Sequence, residues 1–600
     1  MPQMQKNIRR DQQDPTSCWS ITDIFPSDSA WAEEFDACQA LPGQLAAFQG
    51  RLGQFAQNLL DYLKLYEVID YRVSLMAEYA ARRHDEDTAE PEHQAMVGRL
   101  YPYLNRFSAA VSFVGPELVA IPDGTLDGFY AQLPELEKYR RYLTQARLER
   151  EHILSADEER LLAAAHELGG APSQIFNSFH NADMKFPTVT DSQGKAHSLT
   201  NGSYISLMES GDRTLRENTF KAFYGVYGAN RNALAAMLNA AVRKDVFFAR
   251  ARKYDSALAA ALFPVEVPEA VYHNLLEAVH QNLDKMYRYM TLRKKIMGLD
   301  ELHMYDVYAH MLPEADQVIP FAQAREEVLE ATKVLGEEYH RVLQSSFEQR
   351  WMDVYENEGK RSGAYSSGCS IHPFVLLNHK DNLKSAFTLA HEMGHAMHSY
   401  LSNQNQPYIY ADYVLFVAEV ASTCNEALLM QHLLKKTDSK KQRAVLINYF
   451  LEQFRTTLYR QTMFAEFELK IHQLAEDGEA LTAQRMCDIY RELNRLYYGP
   501  DVVIDEEIAL EWARIPHFYR SYYVYQYATG FSAAMALSRR ILEGGEAAVK
   551  DYLRFLSGGS STDPISLLKI AGVDMSTPQP VNDALALFGE LIEELEELVR

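Results

Sequence analysis

The chain is poor in cysteine. Its 600 residues include five, Cys18, Cys38, Cys369, Cys424 and Cys487. They are scattered, odd in number and without a CxxC pair, which excludes a disulfide framework and predicts small buried thiols in a reducing cytosol. Cys369 and Cys424 fall close in sequence to the candidate site below, so oxidation there is expected to reach it. No run of about 18 apolar residues occurs, which excludes a membrane-spanning helix. The polar start, Met1 to Ser17, lacks the apolar centre of a signal peptide, and a cytoplasmic location is expected. Long basic runs are missing too: 82 acidic residues against 59 basic ones leave a net charge of -23. Nucleic acid and anionic membrane surfaces are poor partners for such a chain.

What is present is mostly helical pattern, long enough to need two or more lobes and apolar enough to fill them. Residues 30 to 170 read as successive amphipathic helices broken at Pro116, Pro122-Asp123-Gly124 and Gly169-Gly170. Phe186 to Thr190 and Ser198 to Thr200 flank Asp191-Ser192-Gln193-Gly194, predicting a small hairpin. Helices resume at Asp212, including Pro268 to Met297 and Gln323 to Arg350, and a second extended stretch spans Gly363 to Leu377. An acidic amphipathic helix, Pro580 to Arg600, closes the chain; its Leu585, Leu587, Leu591 and Leu595 are expected to pack on the body. We divide the chain into an N-terminal helical region, 1–185, and a catalytic region, 186–600.

The chemistry concentrates at His391-Glu392-Met393-Gly394-His395. On a helix the two histidines leave the same face and can hold one zinc ion, with Glu392 beside them as a base. A random chain of this composition would show HExxH about 0.05 times, so context matters. Asp381 is expected to cap a helix from Leu383 to Tyr400, which sets the motif mid-helix. By contrast, His166-Glu167-Leu168-Gly169-Gly170 begins alike but ends in glycines and reads as a helix C-terminus.

A catalytic zinc needs a third protein ligand. A metzincin would place glycine at 398 and histidine at 401; here His398 and Leu401 stand there, which excludes that class and makes His398 a neighbour of the site. Glu419 lies inside the apolar run Val414 to Ala421, where a lone carboxylate is costly without a cation, and is the expected third ligand. Glu426, two turns later on the same face, can accept the free ring N–H of a zinc-bound histidine. Peptide hydrolysis also needs donors for the oxyanion. Residues 517 to 527 hold His517 and five tyrosines, and Pro516 is expected to open a helix presenting Tyr519, Tyr522 and Tyr523 on one side, with Tyr525 a turn beyond Tyr522.

These blocks resemble the oligoendopeptidase F branch of the thimet-oligopeptidase-like zinc metallopeptidases. The likeness rests on Arg361-Ser362-Gly363-Ala364-Tyr365-Ser366, Pro373 to Asn378, Thr388 to His395, Ala418 to Thr423, and His517 to Gly530. It extends more weakly from Trp19 to Asp574. The resemblance implies His391, His395 and Glu419 as ligands of one Zn2+ per chain, Glu392 as general base and Glu426 as the carboxylate behind a ligand. It implies that His517 contacts substrate and that Tyr522 and Tyr525 lie near the scissile carbonyl. Spacing from His517 is shorter than in the thimet branch, so the oxyanion donor stays open among these and Tyr519. Gly363 to Ser366 occupy the place of a strand edge that pairs with substrate backbone, which makes Gly363, Ala364 and Tyr365, together with Tyr519, the expected substrate-binding residues, and Gly363 and Gly368 would let a peptide approach.

The expected protein is thus a mainly α, two-lobed helical metallopeptidase with a small β-sheet beside the HExxH helix and a deep substrate cleft. It would cut internal bonds of short oligopeptides in a channel closed to folded proteins. Two alternatives stand beside this reading. A zinc aminopeptidase also uses HExxH and a distal glutamate, but the Gly-x-Met-Glu-Asn type of motif is missing. A silent peptide-binding module with a structural metal would favour four closed positions, usually with cysteine.

Overall fold

Apolar stripes at helical spacing, punctuated by Gly, Pro and Asn, fold into a mainly α-helical protein whose strands are two or three residues long. The computed structural model describes residues 8–312 and 318–600, with the side chains of residues 156, 160, 163, 164 and 167 left aside. Helix α1 (Ala56–Glu86) buries Leu59, Leu63, Val73, Met76 and Ala80 along one side. Helix α2 (Ala156–Gly169) stops at the glycine pair, as its sequence predicts. Strands β1 (Val189–Thr190) and β2 (Ala196–His197) form the expected antiparallel hairpin, with Gly194 at φ +78° in its turn. Helix α3 spans Arg231–Ala251.

Two expected long helices are each broken. The first is α4 (Glu269–Gln281) and α5 (Leu283–Ile296), separated at Asn282. The Asn282 amide donates to the Ala278 carbonyl (2.7 Å) and to Asn582 (2.8 Å), competing locally with the helix ladder. After β3 (Leu302–His303) the second is α6 (Phe321–Thr332) and α7 (Glu337–Glu348), parted where Gly336 takes φ +96°. Then come β4 (Met352–Asp353), β5 (Tyr365–Ser367) and β6 (Phe374–Leu376), helices α8 (Leu383–Asn405), α9 (Leu415–Lys436) and α10 (Arg460–Glu476), and β7 (Val502–Val503), parallel to β3. Helix α11 (Tyr525–Leu556) bends at Gly545, and α12 (Gln579–Leu598) ends the fold. Leu585, Leu591 and Leu595 of α12 are buried; Leu587 sits at the flank, half-buried. Among the described residues no helix is long and apolar enough to cross a membrane.

Packing divides the chain into two compact units, each discontinuous in sequence. One comprises Met1–Glu151, Gln317–His432 and Leu537–Gly572; the other comprises His152–Asp316, Leu433–Ala536 and Val573–Arg600. The boundary expected at 185/186 does not coincide with this division. In the first unit the N-terminal helices share one apolar core with the three-stranded sheet, whose order is β4-β6-β5. Trp19 meets Phe374 of β6 edge to face, with ring centres 6.1 Å apart. Such segments cohere because a strand pair this short needs a covering apolar layer.

Polar anchoring completes the sheet. The Lys360 side chain is fully buried, pairs with Asp353 at 2.7 Å and donates to the carbonyls of Tyr355 and Leu377 at 2.6 Å each. Arg10 pairs with the other Asp353 oxygen. Removing one partner of a buried pair leaves an uncompensated charge. Lys360→Met is therefore expected to cost about 3 kcal/mol, the low end for such a loss because Arg10 remains, read as a lowered thermal-unfolding midpoint of the first unit. An unchanged midpoint would show that Lys360 does not anchor the sheet.

Candidate metal centre

Helix α8 is capped by Asn382 rather than Asp381: the Asn382 side chain accepts the Ser385 N–H at 2.9 Å. Asp381 instead lies outside the helix and its carbonyl accepts from Ile319 N–H. One turn apart on α8, His391 and His395 present rings 4.8 Å apart. Glu419 of α9 faces both: its Oε2 is 3.5 Å from His391 Nε2 and 3.7 Å from His395 Nε2. One ligand atom from each of the three lies within 4.8 Å of the others. Two imidazoles and one carboxylate at this separation suit a tetrahedral Zn2+ with one position left for water or substrate.

Other groups aim these side chains. Glu426 Oε1 accepts from His391 Nδ1 at 2.7 Å, which turns Nε2 toward Glu419. The His395 ring bonds the Ala418 carbonyl, a partner that sequence spacing does not indicate. Burial acts to lower the His391 pKa, but the hydrogen bond and charge of Glu426 outweigh it and hold the ring up to about 9. Burial and the neighbouring His391 charge push His395 well below the ordinary imidazole range. Glu392, 7% exposed, is pushed up to about 7 by burial, with Glu419 and Glu426 adding to the shift.

The Ser366 N–H bonds Glu392 from β5. Strand β5 is the edge of its sheet, paired antiparallel with β6 through Tyr365↔Leu376 and Ser367↔Phe374. The Tyr365 hydroxyl donates to Asp85 Oδ2 of α1 at 2.6 Å, so its side chain is already engaged. Gly363 takes φ +88°, and its carbonyl accepts from Asn378 at 2.8 Å. Gly368 serves a different end from the one expected. A Cβ there would lie 2.7 Å from Ser399 Oγ, so this glycine admits α8 rather than a peptide.

His398 is fully buried, stacked on Tyr413 with ring centres 3.7 Å apart, and burial pushes it down to about 3. All five cysteines are free. Cys369 and Cys424 are buried, and that burial pushes their thiols up to about 11 and about 12. Both are protonated near neutral pH, which opposes the oxidation sensitivity expected from their position.

The tyrosine-rich segment belongs to the other unit and departs from the expected helix. Pro516–Tyr519 form a single 3-10 turn, Arg520 is extended, Tyr522 takes φ +48°, and α11 begins only at Tyr525. Tyr522 and Tyr525 are 3% and 1% exposed, whereas His517 and Tyr519 are half-buried. The His517 ring lies parallel to Tyr523 with centres 5.7 Å apart, and Tyr519 stacks on Phe176 at 4.3 Å. Burial lowers the His517 pKa, so the ring is neutral near pH 7.

A mainly helical chain that sets an HExxH pair and a glutamate of the following helix around one point has the build of a metallopeptidase. A profile of peptidase family M3 matches residues 206–587, and one described as oligopeptidase F matches residues 117–186. The chain belongs to peptidase family M3, in its oligoendopeptidase F branch. It is 44% identical to oligopeptidase PepF of Bacillus subtilis (strain 168) over 582 residues, 97% of this chain and 87% of that protein. Among solved structures, a candidate peptidase from Chlamydophila abortus superposes with TM-score 0.92 at 35% identity, covering 99% of this chain and 100% of that one. Oligoendopeptidase-F from Enterococcus faecium matches with TM-score 0.75 at 36% identity, covering 95% and 99%. Membership makes the chain a peptide-hydrolysing metallopeptidase and removes the silent-module alternative.

Gly394, inside the motif, sets the spacing of α8 and α9. A Cβ there would lie 2.6 Å from Ser422 Cα and 2.7 Å from the Ala421 carbonyl oxygen of α9. Backbone cannot yield as a side-chain tip can. Alanine favours helix over glycine by about 1 kcal/mol, yet Gly394→Ala is expected to push α9 away and lower bound metal at least about tenfold, measured by metal analysis at fixed free zinc. Undiminished metal content would show that the helices tolerate a wider crossing.

Proposed function

We propose that the chain is a zinc-dependent endopeptidase that hydrolyses internal bonds of short oligopeptides, with His391, His395 and Glu419 as metal ligands and Glu392 as general base. The convergence of those three ligands within 4.8 Å, with Glu392 buried beside them, carries the reading. When bound, zinc supplies Lewis acidity, lowering the pKa of a water toward about 7 and polarising the scissile carbonyl. Glu392, held by the Ser366 N–H and poised near neutrality by burial, takes the proton of the attacking water and returns it to the leaving amine. Glu426 keeps His391 in the tautomer that leaves Nε2 to the metal.

Substrate main chain is assigned to the free edge of β5. Alternation along the strand sets Ala364 on the same edge as Ser366, while Tyr365 turns its backbone toward β6. Gly363, at positive φ, bends the chain into that edge. Oxyanion donors are assigned to the segment carrying His517, Tyr519, Tyr522 and Tyr525. Five free cysteines suit a reducing cytosol as the location.

Glu392→Gln is expected to keep zinc content while kcat falls about 10²- to 10⁴-fold, since only the base is lost. Turnover near the parent level would assign the base elsewhere. Tyr525→Phe is expected to lower kcat about tenfold or more with little change in KM; a change in KM alone would make Tyr525 a binding residue. Products from N-acetylated peptides of about 8 to 15 residues, with a folded protein alongside, test the class. Internal cuts that vanish with chelator, while the folded protein survives, fit an oligoendopeptidase; refusal of every blocked peptide fits the aminopeptidase.

A further inference from the structure

Tyr522 is one of four non-glycine residues with positive φ among the described residues. A bulky aromatic residue holds the left-handed region only where its surroundings over-determine it. Those surroundings come from one face of α10. Glu468 Oε1 accepts the Tyr522 backbone N–H at 2.7 Å, and His472, one turn on, lays its ring against the Tyr522 ring with centres 4.8 Å apart. Tyr272 of α4 closes the other side edge to face at 5.6 Å.

The clamp itself is fixed. His472 Nδ1 bonds the Glu468 carbonyl at 2.8 Å, and its Nε2 faces Asp245 Oδ2 of α3 at 3.3 Å. The Glu468 side chain is 1% exposed, and its Oε2 has no hydrogen-bond partner among the described residues. Such a carboxyl is costly to bury for packing alone. Burial pushes it up to about 8, so near pH 7 it is mainly the neutral acid. Its retained hydrogen bond is directed at the single strained residue between the His517 turn and the start of α11.

We infer that Glu468 is a positioning residue for peptide hydrolysis: through the Tyr522 N–H it holds the 517–525 segment in the one conformation that aims its phenol and imidazole donors. This rests on the reading that those donors serve the oxyanion. Glu468 touches neither substrate nor metal ligand in this role, and it acts by the reach of one acceptor oxygen. Misplacement of a donor by about 1 Å is enough to cost up to about 10²-fold in turnover.

The test compares Glu468→Gln, Glu468→Asp and Glu468→Met in the full chain, with kcat and KM on a blocked peptide, zinc content, and amide exchange over 516–525. A clamp that works by reach predicts that Glu468→Gln stays within about threefold of the parent in kcat, whereas Glu468→Asp and Glu468→Met lose about tenfold or more with KM and zinc content held. Faster exchange over 516–525 should accompany both losses. If Glu468→Met does not fold, the order of the other two decides: aspartate better than glutamine means charge is what matters and overturns the clamp. Parent-like kcat in Glu468→Asp also overturns it. In that case, loss of kcat in any of His517→Gln, Tyr519→Phe, Tyr522→Phe or Tyr525→Phe would leave the oxyanion reading standing, while parent-like kcat in all four would show that this reading failed first.

Discussion

The crossing of α8 and α9 is the constraint on which the site depends. Gly394 lies between His391 and His395, and Ala421 and Ser422, which it touches, follow Glu419 by two and three residues. Contact therefore falls at the level of His391, His395 and Glu419 themselves, backbone against backbone, where only a hydrogen atom fits. Glycine in a helix interior costs about 1 kcal/mol relative to alanine, and the close approach is what that cost secures. The same approach brings Glu426, two turns beyond Glu419, to the far nitrogen of His391. The geometry of this His-His-Glu group is thus carried by rigid elements rather than by mobile side chains.

Around this crossing, charge is admitted only where something answers it. Glu392 is dry but retains the Ser366 N–H, and the two carboxylates behind it face imidazole nitrogens. Asp353 carries Lys360 on one oxygen and Arg10 on the other, which joins the start of the sheet to the loop leading into its edge strand. Trp19 and the N-terminal helices cover the opposite face. Residues 8–151 therefore form one packing unit with α8 and most of α9, not a separate appendage.

The second unit solves a different problem. A segment dense in tyrosine must turn from a 3-10 helix into α11 within a few residues, and it does so through a strained aromatic position instead of a glycine. An aromatic residue there brings ring packing against His472 and Tyr272 that glycine would lack. The strain is offset by one buried hydrogen bond and two ring contacts, so the local conformation depends on α4 and α10 as much as on the segment's own sequence.

The grouping of His391, His395 and Glu419 was legible in the sequence because each obeys a rule local to one element. His391 and His395 share a face by helix period alone, and Glu419 stands out because a lone carboxylate in an apolar run demands compensation. The hairpin at 189–197 and the stop at Gly169 are equally local. Glu468 escapes that rule, because Glu466 and Lys470 flank it and break the apolar run. Less legible were the breaks at Asn282 and Gly336, the cap at Asn382, the role of Gly368 and the path of 516–525. Asn282 breaks its helix with Asn582 as a partner, Gly368 answers to Ser399, and Tyr522 turns on Glu468. Sequence alone determined which chemistry the chain carries and on which elements, since periodicity and the cost of burying charge act within a few residues. Tertiary structure alone decided how closely those elements meet and which distant acceptors aim them, since such contacts exist only after remote segments have packed.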